Sequence, residues 1–107
     1  MKELTVLEQI ILVSIISLKE NGYGMAIRQR IKSLTGKSLM YGTLYNALDQ
    51  LYRKGFISKS KNKSPADREH GRVYYTVSPS GSRALESAYR LQKTIWGSVP
   101  DLIKNFE

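Results

Sequence analysis

The chain of 107 residues contains no cysteine, which excludes disulfides and thiolate metal sites. Histidine is nearly as scarce: His70 stands alone, so a zinc constellation has too few ligands, and no cofactor is expected. No apolar run is long enough to span a bilayer, since "QIILVSIISL" is short and carries Ser14 and Ser17. The opening, with Lys2 and Glu3, lacks the basic region, apolar stretch and small-residue cleavage site of a secretion signal, which points to the cytoplasm and to no membrane partner. Carboxylates are few in the middle of the chain. Asp49, Asp67 and Glu69 form no acid-base pair and no glycine-rich loop is present to cradle a phosphate, so an enzyme is not expected.

What remains in excess is positive charge. The formal net charge is +8 and the sequence pI is about 9.8. Between Asn21 and Ala66 nine Lys or Arg face one carboxylate, Asp49, while the two flanking regions nearly cancel. A concentrated excess of this kind suits an anionic partner or, more blandly, a solvated basic surface.

Local signals divide the chain into short elements. Thr5 and Glu8 form a capping box ahead of a helix apolar on nearly every side (Val6, Leu7, Ile10, Ile11, Val13, Ile15, Ile16, Leu18). One small domain covers a single stripe of such a helix, so Leu7 and Ile11 are expected at a contact with a second copy. A second helix is predicted from about Tyr23 to Leu34, with Ile27, Ile31 and Leu34 inward, Arg28, Arg30 and Lys32 off that stripe, and Gly36 as its stop. A third starts near Tyr41 and ends at Gly55. "FISKS" and "RVYYTV" read as a β-hairpin joined by the charged stretch Lys61 to Gly71. Tyr74 and Tyr75 are expected on opposite faces of their strand, one in the core and the other toward a groove or a partner. Ser78 caps a last long helix with Pro79 in its first turn and Leu85, Ala88, Leu91 and Ile95 on one face. Gly97, Ser98 and Pro100 interrupt it, and Ser98 with Asp101 is expected to cap a final short turn bearing Phe106. The expected fold class is mainly α with a small β-hairpin: a first unit over residues 1–78 and a C-terminal helix over 79–107.

The third helix has two distinct sides. At about 100° per residue, Leu44, Leu48 and Leu51 fall within about 60° of one another, and Asn46, Gln50 and Arg53 lie opposite with Thr43 and Asp49 at the edges. Asn and Gln match adenine, Arg matches guanine and Thr reaches a thymine methyl; the alternative is an ordinary solvated face. The order of elements favours base reading, because a helix pair, a two-sided helix and a hairpin with a basic loop make a winged helix-turn-helix. Lys59, Lys61, Lys63, Arg68 and Arg72 would then lie along phosphates.

Four segments resemble the PadR family of transcriptional regulators. "LTVLEQIILVSI" is similar to its first helix, "NGYGMAIRQRI" to its second, "YGTLYNALDQLYRKGFI" to its recognition segment, and "GRVYYTVSPSG" to its wing strand. They keep the family's order from about Leu4 to Gly81. The resemblance implies a homodimeric DNA-binding repressor, paired through the C-terminal helix and responsive in some members to a small molecule. Met40 stands where relatives often carry a serine cap, Tyr52 replaces a commonly charged residue and is expected to pack, and the chain resembles the short members.

Tyr45 matches the family's recognition-helix tyrosine and either packs or reaches a phosphate with its hydroxyl. Leu91, Ile95, Val99 and Phe106 make up the second apolar surface expected to pair. Trp96 either fills that interface or, with its symmetry copy, lines a gap for a small, flat apolar effector. Two function classes follow. One is a sequence-specific regulator on a double-stranded operator with two-fold related half-sites; the other is a basic winged-helix module for protein assembly or non-specific nucleic-acid binding.

Overall fold

The computed structural model describes residues 3–61 and 72–106. Helix α1 (Val6–Leu18) opens with the expected box: the Glu8 amide donates to Thr5 Oγ1 at 3.1 Å, and the Thr5 amide donates to Glu8 Oε1 at 2.8 Å. A 3-10 turn (Lys19–Asn21) leads to α2 (Gly24–Thr35), closed by Gly36 at φ 76°. Then come α3 (Tyr41–Arg53), β1 (Ile57–Lys61), β2 (Val73–Val77), α4 (Pro79–Gly97) and α5 (Pro100–Phe106). The strands pair antiparallel with Ile57 opposite Val77 and Lys61 opposite Val73. Mainly helical with one two-stranded sheet, this is the expected class. The connection between β1 and β2 lies outside the described residues.

The core gathers one stripe from each element. Ile11, Leu12 and Ile15 of α1, Ile27 and Ile31 of α2, Leu44, Leu48 and Leu51 of α3, and Ile57 and Tyr75 of the hairpin are all buried together. Several expectations need correction, among them Leu34, which was expected to face inward but is 47 % exposed at the end of α2. Ile11, expected at a subunit contact, is wholly buried in the chain's own core, and Leu7 packs half-buried against the same cluster. The side of α1 left uncovered carries Val6, Val13 and Ile16, because the hairpin, α2 and α3 all approach from the opposite side. Both strand tyrosines are buried, at 5 % exposure for Tyr74 and 6 % for Tyr75. The second strand face is covered because the chain after the 3-10 turn bridges Tyr23 to Tyr74, with their rings edge to face at 5.7 Å. Ser98 does not cap α5: its hydroxyl donates backward to the Ile95 carbonyl at 2.7 Å.

The start of α4 is tied into this body. Ser78 Oγ accepts from the Gly81 amide, and the hydroxyls of Ser78 and Ser80 donate to the Gly55 carbonyl at 2.6 and 2.8 Å. Ala84, Leu85 and Ala88 pack on the core, after which every residue from Tyr89 to Leu102 is exposed. The apolar row thus runs off the domain: Leu91, Ile95, Trp96 and Val99 continue it uncovered. Helix α5 turns back far enough for Phe106 to meet Trp96 edge to face at 6.1 Å, and the indole N–H donates to Gln92 Oε1 at 3.2 Å. Among the described residues no helix is long and apolar enough to cross a membrane.

Candidate nucleic-acid interface

Leu44, Leu48 and Leu51 anchor α3 in the core, and that rotation leaves Thr43, Asn46, Gln50 and Arg53 exposed. Arg53 Nε lies 3.1 Å from Asp49 Oδ2 one turn back, in a pair open to water and therefore cheap to break. Lys59 and Lys61 alternate with Ser58 and Ser60 on the exposed part of β1. The Lys59 ammonium sits 4.2 Å above the ring of Tyr52, so this strand cation flanks the C-terminal end of α3. Tyr52 is not packed inward as expected. It is 46 % exposed, and its cover is Lys59. Arg72, at the start of β2, lies over Tyr23 at 4.4 Å. Lys63, Arg68 and His70 lie outside the described residues.

Met40 gives α3 no side-chain cap, yet the helix begins where the periodicity predicts, at Tyr41. Arg28 supplies the missing support from α2. Its Nε donates to the Leu39 carbonyl at 2.6 Å, and its guanidinium lies 4.4 Å from the centre of the Tyr41 ring. The Tyr41 hydroxyl donates in turn to Met25 Sδ at 2.9 Å. In the sequence Arg28 stands merely off the buried stripe, and nothing local marks a partner eleven residues away. Lys54 is likewise committed, its Nζ at 2.6 Å from the buried Glu8 carboxylate. Burial pushes the Glu8 carboxyl up, but the Lys54 ammonium and the Thr5 amide together outweigh it and hold the group below the usual carboxylate range.

Beside α3 the start of α2 meets β2. Tyr45 is 45 % exposed and its hydroxyl lies directly over Gly24, where any Cβ would collide with it. An open pocket of ≈ 480 Å³ follows, lined by Gly24, Met25, Tyr45, Arg72 and Tyr75 among others. Burial pushes the Tyr75 phenol up, with Tyr45 and Asp49 adding to the effect, so it stays a neutral hydroxyl. No group of three or more His, Cys, Asp or Glu that could hold a metal occurs among the described residues.

The arrangement is a helix with a polar outer face, braced by a second helix and flanked by a basic hairpin, which suits entry into a major groove. Known proteins carry the same arrangement. The profile of the transcriptional regulator PadR-like family matches residues 11–87. An HTH-type transcriptional regulator of Methanocaldococcus jannaschii is 27 % identical over 92 residues, covering 76 % of this chain and 73 % of that protein. The crystal structure of a PadR-like transcriptional regulator from Bacillus cereus superposes with a TM-score of 0.69 at 27 % identity, covering 94 % of this chain and 90 % of the other. A winged-helix DNA-binding protein from STIV shares the fold, with a TM-score of 0.70 at 18 % identity over 88 % of this chain and 95 % of its own.

Proposed function

The chain belongs to the PadR-like family of transcriptional regulators, and on that premise we propose that it acts as a homodimeric, sequence-specific repressor on a two-fold related DNA operator. The observation that carries this reading is the outer face of α3, where Thr43, Asn46, Gln50 and Arg53 stand exposed beside Lys59 and Lys61. Asn46, Gln50 and Arg53 have the donors and acceptors for base edges, Thr43 has a methyl for thymine, and Tyr45, Arg72 and the strand lysines have donors for the backbone alongside. Lys63 and Arg68, in the connection between the strands, belong to the same proposed phosphate track.

The reading of a dimer rests on α4. Residues 1–78 serve as the DNA-binding unit and 79–107 as the pairing arm, with the first turns of α4 shared between them. The apolar row of Leu91, Ile95, Val99 and Phe106 stays exposed in one chain, and an open groove of ≈ 630 Å³ lies beside it, lined by Ile10, Val13, Ile16, Leu34, Leu85 and Tyr89. A second copy covers both at once, Leu7 lying at the margin. Trp96 at the end of that row is the contact for a small, flat apolar effector held between two copies, whose arrival would change the spacing of the two α3 helices and release DNA. These duties place the protein in the cytoplasm.

Selection of duplexes from a random pool, followed by footprinting, tests the proposal. The expected result is a site of two inverted half-sites about one helical turn apart. Recovery of no common sequence, with equal affinity for every duplex, would turn the reading toward a non-specific module.

A further inference from the structure

The pocket between α2, α3 and β2 presents hydrogen-bond donors from three elements to one opening. Helix α2 begins at Gly24 without a side-chain cap, so the positive end of a 12-residue helix borders the opening. Tyr75 is 6 % exposed, lines the same opening, and its hydroxyl has no hydrogen-bond partner among the described residues. The Tyr45 hydroxyl, seated over Gly24, has none either. Arg72 stands at the rim. The carboxylate that acts on Tyr75, Asp49, is engaged by Arg53 at 3.1 Å.

Two phenolic hydroxyls and a helix N-terminus offer donors in several directions, and the guanidinium at the rim adds positive charge. The complementary group is an anion with several acceptor oxygens on one atom. We propose that this pocket seats a single phosphate of the DNA backbone and thereby fixes how deeply α3 enters the groove. The proposal rests on the DNA-binding reading above and adds to it a defined contact. The absence of a side chain at Gly24 has its explanation there: a Cβ would displace the Tyr45 hydroxyl from the mouth of the seat.

Tyr75→Phe and Tyr45→Phe each remove one oxygen and leave the packing in place, so thermal unfolding should be unchanged. Each variant should bind a selected operator roughly 5- to 20-fold more weakly, with the same factor on a random duplex, because a phosphate carries no sequence. Methylphosphonate is then substituted at one backbone position at a time through a half-site. At a single position the wild-type protein should lose affinity and Tyr75→Phe should lose no more. A Tyr75→Phe defect that persists on every substituted duplex overturns the seat, as does wild-type affinity in both tyrosine variants. Millimolar inorganic phosphate is the second arm: stabilisation of the wild type but not of Tyr75→Phe, with DNA affinity the same in both, assigns the pocket to a free anion and overturns the DNA contact. A wild-type protein that binds no duplex at all overturns the repressor reading and the seat together.

Discussion

On the proposed function, single side chains divide into those that would read bases, those that would position the DNA and those that hold the fold. Asn46→Ala or Gln50→Ala should cost on the order of 1–3 kcal/mol per half-site and relax base preference, whereas Lys61→Ala should weaken every duplex alike and flatten the dependence on salt. Competition between operator and random DNA checks both; equal losses on the two for the α3 variants would remove the base-reading face. Glu8 belongs to the third group. The residue is 5 % exposed, and its carboxylate is bonded to Lys54 across 46 residues of sequence. Because its folded pKa lies below the ordinary value of 4.5, the stability it contributes is complete above that pH and drains away as pH falls through the lower folded value. Lys54→Ala should destabilise the protein by about 1–3 kcal/mol at neutral pH by leaving that charge unpaired. Glu8→Gln should remove the group's share of the acid-induced loss, read by denaturant titrations stepped from pH 6 downward.

Among the elements, α3 depends most on its neighbours. A helix whose N-cap is Met40 starts with unsatisfied amides and no anchoring side chain, and its entry is fixed instead by Arg28 on the Leu39 carbonyl and the Tyr41 ring. Arg28→Ala should lower stability by about 1–3 kcal/mol and speed hydrogen exchange in the first turn of α3 ahead of the rest of the helix. Uniform exchange along α3 in that variant would show that the leucine stripe alone sets the helix start. The hairpin is held differently, through Ile57 and Tyr75 in the core and through Tyr23 against Tyr74 on the other side. Its position against α3 therefore comes from buried contacts, while Lys59 and Lys61 remain exposed.

In the molecule as a whole, the winged-helix body covers its own core, but α4 leaves it after Ala88 with an apolar row that nothing among the described residues covers. Exposed Leu91, Ile95, Trp96, Val99 and Phe106 on one arm make a patch that costs free energy in water and favours association. Truncation after Arg90 removes that patch while keeping Ala84, Leu85 and Ala88 on the core. The shortened chain should sediment as a monomer and lose high-affinity operator binding, since two half-sites would no longer be held by one particle. Sedimentation of the untruncated 107-residue chain as a monomer at micromolar concentration would falsify the pairing arm and, with it, the two-fold operator.

Periodicity, caps and turn residues were sufficient to determine the elements: the Thr5–Glu8 box, the leucine stripe of α3, the hairpin, and Ser78 with Pro79 at the start of α4 are local features, and their energies are settled within a few residues. They also showed which side of α3 must face outward. The side of α1 left uncovered was not legible, since an all-round apolar helix carries no mark of which stripe the rest of the chain will take; packing buried Ile11 and exposed Val6, Val13 and Ile16. The same limit hid the second buried tyrosine, covered by a bridge from Tyr23, and the commitments of Arg28 and Lys54, whose partners lie 11 and 46 residues away. The juxtaposition of Gly24, Tyr45 and Tyr75 is of this kind as well. Three separate segments meet there only because the core draws α2, α3 and β2 together, and no spacing along the chain records it.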